Sequence, residues 1–367
     1  MTIPNVLRRI IRPTVLDFNG YVSVVSPDVI AEQIKEPISR LTKLDTNENP
    51  YGTSLRVQEA LASLDRYHIY PDPEQLTARQ RVAKYTGAPM ERIIIGNGSD
   101  ELIDMILLAT IDPGDEVIVP VPTFSYYQSR ARLFGATVRE VPRKPDFELD
   151  INAIEHATKP RTKLIFVASP NNPTGNLMTS QQLVRLVQTG ALVVVDEAYF
   201  EFSRKTLLPL SREFDNIVVL RTFSKWAGLA GLRVGYGIFP AALASEFWKV
   251  KPPFNVGVAG TRAIEAVLDD MDYLNGTVSR IRVERNRLYR SLRKLNFLNP
   301  YPSHGNFILC RVTRGDGHVI HHRLEQQGIL IRKYDSPDLR DFLRISAGRP
   351  EDTDRLMAAL LSMAEEV

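Results

Sequence analysis

The feature that most constrains this chain is the stretch from about residue 90 to residue 240, where short β-branched runs alternate with amphipathic helical segments. The runs fall at 93–95, 117–119, 137–139, 164–167, 192–195, 217–220 and 234–239. Apolar runs this short, separated by helices, bury themselves most simply as neighbours in a mainly parallel sheet with helices on both faces. The pattern predicts an α/β chain whose large domain holds a mostly parallel, seven-stranded open sheet. Such sheets bind ligands beyond the carboxyl ends of their strands, so the residues just after each run carry most of the functional information.

From residue 241 the pattern turns helical, with a long amphipathic stretch at 272–295, and then gives further strand-like runs at 307–312, 329–332 and 342–346. This predicts a smaller α+β domain. The division expected is 1–45 as an N-terminal arm and part of the small domain, 46–250 as the large domain, and 251–367 as the small one. A length of 367 residues suits two units at roughly 150 residues per domain.

Charge and cysteine usage narrow the partners. With 46 basic against 43 acidic residues, the net charge of +3 gives no reason to expect nucleic acid. The first thirteen residues lack the apolar core of a secretory signal, so no cleavage is expected. Uninterrupted apolar runs such as 105–109 fall far short of the roughly 20 residues that span a bilayer, so no membrane partner is expected. Cys310 is the sole cysteine, which excludes an internal disulfide and fits a reducing compartment, the cytoplasm. His318, His321 and His322 fall at helical spacing, but without H-E-x-x-H or a cysteine partner they read as a solvated helix face, and no metal is assigned.

The strand ends carry unusual chemistry. After residue 95 comes Gly96-Asn97-Gly98-Ser99-Asp100-Glu101, followed by a helical run. Glycine before a helix start suits an anion, because free N–H groups and the helix dipole favour phosphate, but taken alone this segment reads more often as an ordinary N-cap with acidic first-turn residues. A dinucleotide fingerprint fails, since Glu101 stands where its third glycine belongs. After residue 167 comes Ser169-Pro170-Asn171-Asn172-Pro173-Thr174-Gly175, and after residue 195 comes Asp196-Glu197-Ala198-Tyr199. Taken singly these are a Pro-Gly turn and a loop acid. An ATPase reading of Asp196 fails because the chain has no Gly-Lys dipeptide for a phosphate-binding loop. After residue 220 comes Arg221-Thr222-Phe223-Ser224-Lys225, with Arg233 shortly beyond.

One loop lysine alone is ordinarily a surface charge, and it is the combination that points further. A lysine, an aspartate, an asparagine, a tyrosine, an arginine and a phosphate-ready helix start all fall at one edge of one predicted sheet. Pyridoxal phosphate chemistry requires such a set: an amine for the Schiff base, a carboxylate for the pyridine nitrogen, donors for the phenolic oxygen, an aromatic face, and cationic and amide groups for the phosphate.

These residues resemble those of the fold-type I aminotransferases, specifically the histidinol-phosphate aminotransferases. The resemblance rests on Asn47-Glu48-Asn49-Pro50-Tyr51-Gly52, Tyr70-Pro71-Asp72, the Ser169–Gly175 loop, Asp196-Glu197-Ala198-Tyr199 and Thr222-Phe223-Ser224-Lys225, in the family's order over nearly the whole chain. It implies that Lys225 is the Schiff-base lysine, Asp196 the pyridine partner, and Asn172 and Tyr199 the partners of the phenolic oxygen. Ser99, Asp100 (mainly by its backbone N–H), Ser224 and Arg233 would surround the phosphate. Phe124 falls where the family usually stacks a tyrosine, and Trp226 where it usually has a small residue. Arg332 and Arg344 match substrate-anion arginines, and Tyr21 a tyrosine that closes over the substrate phosphate. The implied reaction is amino transfer between L-histidinol phosphate and 2-oxoglutarate in histidine biosynthesis. It implies a homodimer with shared active sites, in which Tyr70 of the partner subunit reaches the cofactor phosphate. An aromatic amino acid aminotransferase, or a decarboxylase of a phosphorylated amino acid, could use the same cradle. A non-catalytic cofactor-binding protein would require neither Lys225 nor Asp196.

Overall fold

The computed structural model describes residues 3–16, 18, 20 and 24–364. Its twelve strands are β1 (Thr42–Leu44), β2 (Ile93–Gly96), β3 (Glu116–Val121), β4 (Thr137–Pro142), β5 (Thr162–Ala168), β6 (Leu192–Asp196), β7 (Ile217–Thr222), β8 (Gly235–Ile238), β9 (Leu298–Pro300), β10 (Phe307–Val312), β11 (Ile329–Lys333) and β12 (Phe342–Ser346). They form a seven-stranded sheet in the order β2-β8-β7-β6-β5-β3-β4 and a five-stranded sheet in the order β1-β11-β12-β10-β9. All seven predicted runs of the large sheet are strands.

Alternation along each strand explains why the large sheet needs helices on both faces. Ile118, Ile165, Val167, Val193, Val195, Ile217 and Val219 enter one core. Their neighbours Val117, Val119, Leu164, Phe166, Val194, Val218 and Leu220 enter the other. Successive side chains of a strand point to opposite faces, so a run that is apolar at every position is stable only when buried on both sides.

Within the large sheet β8 is antiparallel to both neighbours, pairing Gly235 with Thr222 on one side and with Gly96 on the other. The reversal brings the start of β8 to the same edge as the ends of β2, β6 and β7, and so carries Arg233 to that edge. Gly235 is required there: an added Cβ would stand 2.6 Å from the Ser99 nitrogen and 2.9 Å from the Gly98 carbonyl carbon.

The small sheet has its own core, in which Leu44, Ile308, Cys310, Ile331, Leu343 and Ile345 pack against helical residues such as Leu292, Leu324 and Leu356. β1 is parallel to β11, so the N-terminal segment supplies an edge strand to the C-terminal sheet. The helix Met271–Leu292 links the layers: Leu274, Val278 and Ile281 join the large-sheet core, and Leu288 and Leu292 the small-sheet core. The helix Val258–Leu268 packs on the helices Leu55–Ala62 and Leu76–Thr86 of the large layer. β1 and β9 have no counterpart among the predicted runs, because three residues are too few to show a period.

Candidate active site

β6 lies at the middle of the large sheet and ends on Asp196, which is buried. Its Oδ2 accepts from the Tyr127 hydroxyl at 2.5 Å and its Oδ1 from the Ala198 N–H at 2.9 Å. Burial lifts the Asp196 pKa to about 6, against the pull of these two donors. Tyr127 lies in the helix Tyr126–Leu133, stacks on Phe166 with centroids 5.1 Å apart, and meets the edge of Phe124 at 5.5 Å. Phe124 is half-buried and packs against the residue whose hydroxyl holds the Asp196 carboxylate.

Lys225 follows the neighbouring strand β7. Its Nζ donates to the Thr46 carbonyl at 2.8 Å. Burial and then the positive charge of Arg344 bring its pKa down to about 8, opposed by Glu48 and Asp100. An amine so tuned carries far more of its neutral form near pH 7 than an ordinary lysine does, although the protonated form still predominates there.

The segment 45–49, which follows β1, crosses from the small sheet to the large one. Besides the Thr46 carbonyl, it offers the Asp45 carbonyl to Arg344 Nη2 and the Asn47 amide to the Tyr199 hydroxyl, the latter at 3.0 Å. Arg344 is buried on β12, and its Nη1 donates to Asn172 Oδ1 at 2.7 Å. These partners fix hydrogen-bond roles. Asn172 gives its carbonyl to Arg344 and keeps its NH2 group as a donor. Tyr199 accepts from Asn47 and keeps its O–H as a donor, with its pKa pushed up to about 12 chiefly by burial. Arg344 Nε is buried with no hydrogen-bond partner among the described residues.

At the same sheet edge the helix Ser99–Thr110 begins after Gly98, whose φ is 82°. Arg233 Nη2 donates to the Asp100 carboxylate at 2.9 Å, and its Nη1 lies 3.4 Å from Ser224 Oγ. An added Cβ on Gly98 would meet that guanidinium at 2.6 Å. A helix N-terminus, two hydroxyls and a guanidinium thus share one small space, the composition of a phosphate cradle.

The profile of the aminotransferase class I and II family matches residues 39–360. The chain is 44% identical to a histidinol-phosphate aminotransferase of Dehalococcoides mccartyi over 98% of its own length and 99% of the relative's. It is 43% identical to one of Roseiflexus castenholzii over 98% of its length and all of that relative. The structure superposes on the histidinol-phosphate aminotransferase of Sinorhizobium meliloti in complex with pyridoxal-5'-phosphate with a TM-score of 0.88, at 27% identity, covering 97% of this chain and 98% of that one. The chain belongs to the histidinol-phosphate aminotransferases, within aminotransferase classes I and II.

The remaining residues singled out for this family divide by location. Arg332 stands opposite Arg344 in the register of β11 and β12, half-buried, with its guanidinium 5.9 Å from the Tyr334 ring centroid. Tyr70 is 78% exposed and stacks on Phe254 with centroids 4.6 Å apart. Tyr21 lies outside the described residues. Trp226 is buried in the large core, stacked on Tyr85 at 5.3 Å. The sequence pattern gives no individual site role to Tyr127, Thr46, Asn47 or Asn306, whose amide donates to the Asn47 carbonyl at 2.9 Å. Tyr127 had one signal, a polar tip three residues after Phe124. Thr46 acts through its carbonyl, which every residue has.

Proposed function

We propose that this site carries out reversible amino transfer between L-histidinol phosphate and 2-oxoglutarate, giving imidazole acetol phosphate and L-glutamate, in histidine biosynthesis. The cofactor of the family is pyridoxal phosphate, and when bound it supplies an electron sink for the bonds of the substrate Cα. The convergence of Lys225, Asp196, Asn172 and Tyr199 on one sheet edge carries the reading.

Each residue has a chemistry matched to that group. Lys225 would hold it covalently through Nζ and, once displaced, would take the proton from the substrate Cα and return it on the other side of the reaction. Asp196, a carboxylate made more basic by burial, would share a proton with the ring nitrogen. The NH2 of Asn172 and the O–H of Tyr199 are both donors and suit one acceptor, the phenolic oxygen. Phe124 supplies an aromatic face. Ser99, the Asp100 N–H, Ser224 and Arg233 would take the phosphate. Arg344, with its Nε unused, and Arg332 would bind the substrate anions, the phosphate of one substrate and the carboxylates of the other.

The protein is proposed to act as a homodimer with shared active sites. Exposed Tyr67, Ile69 and Tyr70 form an apolar surface that a second copy would cover, with Tyr70 of the partner subunit completing the phosphate site. A reducing cytoplasm suits Cys310, a fully buried thiol. Among the described residues no helix is long and apolar enough to cross a membrane. The test is an absorption spectrum of the purified protein followed by competition among amino donors. A cofactor band that responds to histidinol phosphate in preference to phenylalanine or tyrosine is expected, and preference for the aromatic amino acids would overturn the substrate assignment.

A further inference from the structure

Asn47 is 1% exposed and holds φ at 56°, in the left-handed region that asparagine tolerates better than most side chains. Its N–H donates to Ser346 Oγ at 2.9 Å, and the Ser346 hydroxyl donates back to Oδ1 at 2.9 Å. With the Ser346 proton given to Oδ1, the Asn47 amide faces its carbonyl to Ser346 and its NH2 to Tyr199. The Tyr199 ring is held edge-on to Phe307 at 5.0 Å. Its oxygen is therefore an acceptor toward the segment 45–49, and its proton is left for whatever lies on the other side.

We propose that Asn47 is a positioning residue for Tyr199: by donating to the phenol oxygen it aims the tyrosine proton at the phenolic oxygen of the cofactor and strengthens that donation. The proposal rests on the reading that Tyr199 contacts that oxygen. The physical basis is the polarisation of linked hydrogen bonds, in which accepting one makes a hydroxyl a better donor of the next. Because Asn47 also bonds Ser346 at the end of β12 and Asn306 before β10, the small sheet sets the orientation of a donor that belongs to the large one.

The test is a pH titration of the visible absorption band of the bound cofactor in the holoenzyme. A cofactor oxygen deprived of its donor holds the neighbouring proton more tightly, so Tyr199→Phe is expected to move the midpoint upward. Asn47→Gly, which keeps the left-handed backbone, is expected to move it the same way by roughly half a unit to one unit, the scale of one hydrogen bond. Asn47→Asp keeps the volume and the Ser346 acceptor but offers Tyr199 an oxygen, drawing the phenolic proton backwards, and is expected to shift the midpoint at least as far. In a Tyr199→Phe background Asn47→Gly should add nothing, since the hydroxyl through which it acts is gone. An unchanged midpoint in Tyr199→Phe overturns the reading of Tyr199 and this proposal with it. A shift in Tyr199→Phe with no Asn47 effect, or with an Asn47 effect that adds in full on the phenylalanine background, leaves Tyr199 in place and overturns Asn47. Failure of both Asn47 variants to hold cofactor makes the residue structural and overturns the proposal as well.

Discussion

Two titrations at single residues set the pH behaviour expected of this site: one pKa is lowered and the other raised, yet both favour cofactor uptake as pH rises. Lys225 has its pKa lowered to about 8, so the reactive free amine grows as pH rises toward that value. Covalent uptake of pyridoxal phosphate by the apoprotein should accelerate about tenfold per pH unit below 8 and level off above it. Lys225→Ala should fold normally yet show no borohydride-reducible link to cofactor; a persisting link would place the covalent bond elsewhere. Asp196, with its pKa raised to about 6, is mostly neutral below that pH and cannot offset a ring cation there. Cofactor affinity should therefore fall as pH drops through 6, and Asp196→Asn should remove that limb while cutting turnover severely. Arg344→Ala leaves the Asn172 and Asp45 carbonyls without their donor and removes a buried cation, so substrate affinity should drop by about 2–5 kcal/mol in isothermal titration. These side chains are legible in the sequence as candidates because the proposed chemistry demands particular residue types after particular strands.

Among the elements, β8 decides how the proposed phosphate cradle is assembled. Reversed between β2 and β7, it delivers Arg233 to Asp100 and Ser224, residues 133 and 9 positions away in the chain. Gly235→Ala tests this, because its new Cβ would press on the backbone of Gly98 and Ser99, which cannot swing aside as a side-chain tip can. We expect a loss of about 1–3 kcal/mol in stability and cofactor affinity at least tenfold weaker, measured by thermal unfolding and equilibrium dialysis. Unchanged affinity would mean that the helix start at Ser99 does not hold the phosphate. The run at 234–239 identified the strand, but its direction was not legible: an apolar strand buried on both faces reads the same either way. β1 and β9 are not legible for another reason, since their pairing comes from the neighbour strand rather than from their own pattern.

At the scale of the whole molecule, the shared-site proposal makes a complementation test possible. Lys225→Ala and Tyr70→Ala subunits, mixed and allowed to exchange, should form heterodimers in which one site carries both defects and the other carries neither. Activity is expected to rise well above either parent, given that Tyr70→Ala alone is impaired; verified heterodimers showing only the parental average would confine Tyr70 to its own subunit. The alternation of apolar runs and helices, and the residue types at the strand ends, determined the α/β class, the seven-stranded sheet and the motifs of the family, because periodicity and local chemistry are written in consecutive residues. Tertiary structure alone decided that β1 joins the C-terminal sheet and that Tyr127 supports Asp196. It also decided that the segment 45–49 ties Lys225, Tyr199 and Arg344 together. The physical reason is that these contacts depend on which distant backbone carbonyls and side-chain tips folding brings within 3 Å or so of one another, and a carbonyl carries no signature in the sequence.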